Sequence, residues 1–413
     1  MRIAWTGPVG DIRDGGTSAL GGLLLKSLLD RGVEVEVYVS GSPGDFPAMF
    51  RDHPLVTVVE QPITWSWGRW YSKHRVTAFA TSFAARTWAF LRLGWEMVRR
   101  HRRDPYDCVY QFSQPELFVM AWLSRLLPPI VVHPGTTAAG ELRWHRLETK
   151  YALQSEGKGL HYLARAVLTL RTFLQRRDWR KPALIAGPSN VFNRILEQDY
   201  GVSSDRTRVV RYPLNVDLFS VNGNHEGKRP ITLLYASRLS TRKGLELITA
   251  LSHRLSDLAG EIWIPVVGGA TMWSDYSGHL KDLNPAIASY EGAAPADDMP
   301  RIYRAADALL VPSHYEPGSL VLSEALASGV VVVASDQVGQ GEVVSEECCR
   351  VFPRGDLDAF EHEVRTVVQE LRSDDRRKEL AKAARRQAIE QFSPERIGDD
   401  LLGVLTEACR GRR

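Results

Sequence analysis

The sequence has 413 residues, 44% of them hydrophobic and 24% charged, with a net charge of +3; this suits a folded chain of two lobes and excludes a disordered or fibrous protein. No run approaches the roughly 20 apolar residues of a spanning helix, and the opening Arg2-Ile3-Ala4-Trp5-Thr6-Gly7 shows no leader with a cleavage site, so a cytoplasmic protein is expected. Charge is uneven, roughly +10 over residues 1–213 and about −7 over the rest, but arginine-rich composition alone does not argue for nucleic acid, and no such partner is expected.

Short β-branched runs alternate with longer helix-period segments, the pattern of parallel sheets covered by helices. In the first half strands are predicted at 2–6, 33–39, 55–60, 108–112, 130–133, 183–186 and 208–211. The first is followed by Gly15-Gly16, whose amides can face a phosphate or sugar, and by a helix over 17–30 with Leu20, Leu24, Ser27 and Leu28 on one face. The spacing is not G-x-G-x-x-G, so no Rossmann dinucleotide fingerprint is present.

Residues 65–103 hold Trp65, Trp67, Trp70, Tyr71, Trp88, Phe90 and Trp95 among nine Lys or Arg and one acid, Glu96. Such a segment reads either as a peripheral contact with an anionic membrane or, the preferred reading, as a core face with snorkelling arginines. His133 ends the strand 130–133 and is followed by Pro134-Gly135-Thr136-Thr137. The four cysteines, Cys108, Cys348, Cys349 and Cys409, show no CxxC and no zinc-like His spacing, and read as reduced thiols.

Tyr212-Pro213 and the polar run 222–228 read as a linker region, with the boundary near 213. Beyond it strands are predicted at 231–236, 262–267, 289–291, 308–311 and 330–334. The first runs into Ser237-Arg238-Leu239-Ser240-Thr241-Arg242-Lys243-Gly244, where two cations flank a loop at a strand end; Arg offers a planar fork and Lys a point charge to a diphosphate. Arg242 is expected to be exposed. Val267-Gly268-Gly269 and Tyr290-Glu291-Gly292 end the next two strands.

The strand 308–311 leads into Pro312-Ser313-His314-Tyr315-Glu316-Pro317-Gly318-Ser319-Leu320-Val321, then a helix carrying Glu324 and a Gly329 turn. Strand carboxyl ends are where open α/β sheets bind ligands, and amides from Ser319 to Val321 at a helix start can take a phosphate. Glu324 can accept two hydroxyl hydrogens from a ribose. Asp356-Leu357-Asp358 lies far from both glutamates in sequence and reads as a turn, so no metal is expected. A helix over 394–409 follows the last predicted strand.

This second half, with Glu316-x7-Glu324 in a strand-loop-helix and Arg238-x4-Lys243 about 80 residues before it, resembles the family 4 retaining glycosyltransferases. The resemblance extends more weakly to Arg208–Phe219, where the usual Asn-Gly-Val-Asp appears as Asn215-Val216-Asp217, and to Phe392-Ser393-Pro394-Glu395. It implies an α/β GT-B fold, two Rossmann-like domains with parallel sheets facing across a cleft. Residues 1–212, completed by the helix within 394–413, would be the acceptor side and 213–393 the nucleotide-sugar side.

The resemblance further implies that Glu316 contacts the donor sugar, that Arg238 and Lys243 neutralise the leaving diphosphate, and that Glu324 binds the ribose. Gly318, Ser319, Leu320 and Val321 would hold sugar and diphosphate through backbone amides. Gly15 and Gly16 would line the opposite wall, and His133, with Thr136 as a weaker companion, would contact donor sugar or acceptor. The activity implied is retaining, metal-independent transfer of a sugar from a nucleotide diphosphate donor to an acceptor that is lipid-linked, a sugar phosphate or a natural product, with no cofactor besides the donor. The rivals are a sugar-nucleotide epimerase or hydrolase on the same fold and a non-catalytic nucleotide-sugar binding protein.

Overall fold

A computed structural model describes residues 1–12, 16–40, 46–61, 69, 73, 75–113, 117–155, 158–221, 230–270 and 276–411. In chain order the first part comprises β1 (Arg2–Thr6), α1 (Gly16–Leu29), β2 (Glu34–Ser40), α2 (Ala48–Arg51), β3 (Val56–Gln61), α3 (Arg75–Arg103), β4 (Cys108–Phe112), α4 (Leu117–Leu123) and β5 (Ile130–His133). Then come α5 (Ala138–Leu147), α6 (Thr149–Ser155), α7 (Lys158–Asp178), β6 (Leu184–Gly187), α8 (Asn190–Tyr200) and β7 (Thr207–Val209). The second part runs β8 (Ile231–Ala236), α9 (Leu245–Arg254), β9 (Ile262–Val267), β10 (Ala288–Gly292), α10 (Met299–Ala305), β11 (Ala308–Val311), α11 (Leu320–Ala327), β12 (Val331–Ser335) and β13 (Cys349–Phe352). It ends in α12 (Leu357–Leu371), α13 (Asp374–Phe392) and α14 (Pro394–Arg410).

The strands form two sheets, β3-β2-β1-β4-β5-β6-β7 and β10-β9-β8-β11-β12-β13, with every neighbouring pair parallel. These are two Rossmann-like domains, as expected. Strands such as Val331-Val332-Val333-Ala334 are buried along their whole length because helices cover both faces. Chain order reverses between β1 and β4 in one sheet and between β8 and β11 in the other, leaving a crevice at the carboxyl ends of those strands.

Helix ends follow local chemistry. Thr137, Ser189, Asp356, Ser373 and Ser393 cap α5, α8, α12, α13 and α14 with their side-chain oxygens. Asp356 is thus a cap, and Asp358 pairs with Arg254 at 2.8 Å on the surface. Among the described residues no three His, Cys, Asp or Glu side chains gather as a metal-binding group.

After α13 the chain crosses back, and α14 packs on the first sheet: Ile397, Leu401 and Leu405 share a core with Leu24 and Leu28 of α1, and Ser27 Oγ donates to the Pro394 carbonyl at 3.0 Å. The segment 65–103 divides differently from the preferred reading. Trp65, Trp67, Trp70 and Tyr71 lie outside the described residues, as does 222–228. In α3 it is Leu93, Met97 and Val98 that pack on the sheet, whereas Trp88 and Trp95 face solvent. No described helix is long and apolar enough to cross a membrane.

Candidate active site

The loops after β8 and β11, the two strands flanking the second sheet's reversal, carry the predicted donor-side residues. After β8 a short turn over Thr241–Lys243 ends at Gly244, whose φ of +73° is left-handed. A Cβ there would also stand 2.1 Å from the Pro312 carbonyl oxygen, so only glycine lets the two loops meet. Lys243 Nζ consequently donates to a carboxylate oxygen of Glu316, and both side chains are almost wholly buried.

Burial pushes the Lys243 ammonium down to about 8, although Glu316 pulls the other way. Arg238, exposed at the mouth, is close enough to disfavour the lysine's charge further and forms no ion pair among the described residues. Among the described residues Lys243 is thus paired while Arg238 stands outside any ion pair. Arg242, expected to be exposed, is half-buried, with its amide donating to Glu148 at 3.0 Å and its carbonyl accepting from His314 at 2.9 Å.

Beyond Glu316, Gly318 packs against the Tyr212 ring, where a Cβ would come within 2.4 Å. The Ser319 amide is already used, donating to the buried Gln340 Oε1 at 2.6 Å, whereas the Leu320 and Val321 amides open the first turn of α11 without an intrahelical acceptor. Ser319 is therefore committed to the fold, and of the predicted amides those of Leu320 and Val321 are left open. Glu324 is half-buried; the fully buried Tyr303 donates to its Oε2 at 2.8 Å, and burial raises the carboxyl above its usual range. Tyr303 joins the candidate site through this bond and is absent from the sequence reading, since nothing in its local pattern separates it from a core tyrosine.

The first domain faces these loops. Thr137, after β5, brings its amide to 3.4 Å from the Tyr315 hydroxyl; Ser189, after β6, donates to the Pro317 carbonyl at 2.7 Å. Glu342 accepts from the Asn190 and Val191 amides at 2.9 and 2.7 Å, and Trp144 stacks on His314 at 5.3 Å. These contacts put the carboxyl edges of the two sheets opposite one another. Gly339 sits in the seam: a Cβ would fall 2.2 Å from both the Pro317 carbonyl oxygen and Ser189 Oγ. Gly339→Ala is expected to cost about 1–3 kcal/mol by overpacking, read as a lower denaturation midpoint with unchanged secondary structure.

His133 is not on the cleft wall. It is 0% exposed, accepts or donates at Nδ1 with the Tyr110 hydroxyl at 2.7 Å, and stacks on Tyr212 with ring centroids 5.5 Å apart. Burial drives it down to about 3, so it is neutral. The expectation of direct substrate contact is corrected to a supporting place: His133 backs Tyr212, and Tyr212 backs Gly318. Thr136 donates to Glu141 at 2.8 Å. Gly16 begins α1 at φ +78° with open space beyond its Cα, while Gly15 lies outside the described residues. Gly7, at φ +131° after β1, and Ser113, at φ +90° after β4, flank the first sheet's reversal.

Comparison with known proteins agrees with this arrangement. The family model described as glycosyl transferase 4-like domain matches residues 15–213, and that of the glycosyl transferases group 1 matches residues 219–387. Together the two models cover most of the chain, which belongs to the GT-B glycosyl transferases that pair these two domains.

Among curated relatives, an alpha-maltose-1-phosphate synthase of Mycolicibacterium smegmatis is 27% identical over 57% of this chain and 64% of that protein. A D-inositol 3-phosphate glycosyltransferase of Salinispora tropica is 32% identical over 45% of this chain and 40% of that protein. The chain thus matches less than two thirds of the length of these relatives. Among solved structures, sucrose-phosphate synthase from Thermosynechococcus elongatus superposes with a TM-score of 0.71 at 18% identity over 100% of both chains. Anabaena HepE in complex with UDP-glucose gives 0.63 at 17% over 98% of this chain and 100% of that one. These likenesses establish the GT-B fold.

Proposed function

We propose that the protein transfers a glycosyl group from a nucleotide diphosphate sugar to an acceptor hydroxyl, with retention and without a divalent metal. The observation that carries this reading is the convergence of Lys243, Arg238 and Glu316 on the loops of β8 and β11, beside the open amides of Leu320 and Val321. A diphosphate laid there meets two cations and two backbone donors. The HepE complex with UDP-glucose supports a donor of that class, and the acceptor would enter from the wall built by residues 1–212 and the helix within 394–413.

In the reaction the anomeric C–O bond to the β-phosphate breaks, and its electron pair stays on the phosphate oxygen. The acceptor oxygen bonds to the anomeric carbon on the same face, and its proton passes to that phosphate oxygen. Arg238 and Lys243 offset the charge that builds on the leaving group. Donor binding exchanges partners: the diphosphate takes Lys243 from Glu316, and the released carboxylate turns to the sugar hydroxyls. His133 holds Tyr212 and through it the Gly318 loop. Solvent-facing Trp88 and Trp95 support an acceptor met at a membrane.

NMR of the new glycosidic bond, formed with a chelator present, tests both claims: an inverted product or full dependence on magnesium or manganese sinks the mechanism. Donor consumption at equal rate without any acceptor would favour hydrolysis instead. Glu324→Ala is expected to raise the donor KM more than it lowers kcat, because a ribose contact is equal in ground and transition states. Tyr303→Phe should follow in the same direction by a few-fold, and a donor lacking the ribose 2′-hydroxyl should shrink both effects.

A further inference from the structure

We propose that the outer face of α3 and α7 is a docking surface for an anionic lipid bilayer. On α3 the solvent-facing residues Trp88, Arg92, Trp95, Arg99 and Arg102 recur at helical spacing on one stripe, with Trp88 62% and Trp95 56% exposed. α7, which lies against α3 and α4, presents a second stripe of Tyr162, Ala166, Leu170 and Phe173, with Leu170 57% and Phe173 69% exposed. Four large apolar groups left in water on two adjoining helices are more than scattered surface hydrophobics, and mark a surface that something covers.

Charge selects the occupant. Arg86, Arg92, Arg102 and Arg103 are exposed on α3 and form no ion pair among the described residues. The acids of the two helices are accounted for: Glu96 is bonded to Arg99 and Arg100 at 2.8 and 2.9 Å, and Asp178 is buried. Tryptophan with arginine on one helix suits the headgroup boundary, where the ring enters the acyl edge and the guanidinium meets lipid phosphate. A second copy of the chain would set two basic faces against each other, and nucleic acid would leave Leu170 and Phe173 uncovered.

The helix that carries the second stripe is linked through its inner side to the cleft. His161, in the first turn of α7, stacks on His145 of α5 at 4.1 Å, and α5 carries the Trp144 that packs on His314 beside the donor loops. A bilayer on α7 would bring its headgroups to the cleft entrance. This deepens the transferase reading by assigning a membrane-borne acceptor, but lipid binding itself needs no catalysis and is measured apart from it.

The test is co-sedimentation of the full chain with vesicles of mixed phosphatidylglycerol and phosphatidylcholine, and with phosphatidylcholine alone. The protein should pellet with the former, little with the latter, and be released as salt shortens the screening length from roughly 10 Å to 3 Å. Leu170→Ser/Phe173→Ser and Trp88→Ser/Trp95→Ser should each lower the partition coefficient by roughly tenfold or more while keeping the parent's thermal midpoint and donor-induced thermal shift. If either pair fails to fold, Arg92→Glu/Arg103→Glu replaces it, with the same loss expected. No pelleting of the parent, undiminished pelleting of folded variants, equal binding of a short single-stranded oligonucleotide, or self-association lost in the variants without vesicle binding would each overturn the proposal. Loss of vesicle binding with an intact donor shift removes only the surface; a missing donor shift with intact vesicle binding removes only the transferase reading.

Discussion

Lys243→Met is expected to lower donor-dependent kcat/KM by roughly 10- to 100-fold, the equivalent of one charge-assisted contact of about 1.5–3 kcal/mol to the departing diphosphate. The same change destabilises the free enzyme, because Glu316 is left buried without its partner; breaking such a pair costs about 3–5 kcal/mol. The two effects separate in the double variant Lys243→Met/Glu316→Gln, which should regain much of the stability and none of the activity. A double variant as active as the parent would remove Lys243 from the chemistry.

The pH dependence carries an independent sign. Burial holds the folded Lys243 at about 8 against 10.5 in the unfolded chain. Between those values the unfolded state binds the extra proton, so this group makes native stability rise with pH over that window, and its full penalty is present below 8. In the proposed reaction activity runs the opposite way: there the protonated form meets the diphosphate, so kcat/KM for donor should fall as pH rises through about 8. In Lys243→Met that limb should vanish.

Much of the fold was legible because parallel strands buried on both faces read as apolar β-branched runs. Ile231–Ala236, Ile262–Val267 and Ala308–Val311 occur where their composition puts them. The missed strand, Cys349–Phe352, is an edge strand of Cys-Arg-Val-Phe, too short and too mixed to announce itself. The ends of predicted strands drift by a residue, as at Glu34–Ser40, because β-branched content does not say where hydrogen bonding stops.

At the site, residue type and spacing indicated which loops matter, and tertiary contacts decided what each residue can do. His133 at a strand end looked available, yet its own strand faces it into a core of Tyr110, Phe112 and Tyr212. Ser319 looked like an open amide until Gln340, a residue from the next strand's loop, took it. The Lys243–Glu316 pair was legible only as two separate motifs; that they neutralise one another depends on Gly244 touching Pro312, a contact between segments about 70 residues apart. α7's apolar stripe was missed because amphipathic helices normally bury such residues, and only the packing reveals which side remains uncovered.

Glu316→Gln is expected to reduce kcat on the order of 10²-fold at saturating donor, with a smaller change in donor affinity. The amide keeps the shape of the side chain and can still bond a hydroxyl, so ground-state binding survives. What it loses is the negative charge that strengthens its hydrogen bonds as the anomeric carbon becomes cationic, a difference felt in the transition state alone. Removing the carboxylate also leaves Lys243 without its counter-charge in the free enzyme, which destabilises the ammonium and should move the alkaline limb of kcat/KM to lower pH than in the parent, since Glu316 raises the lysine's pKa. Rate and limb are therefore expected to shift together in this variant, whereas Glu324→Ala, whose carboxylate is held by Tyr303, should leave the limb where it is. If Glu316→Gln keeps kcat within a few-fold of the parent while Glu324→Ala abolishes turnover at saturating donor, the sugar and ribose roles of the two carboxylates are reversed.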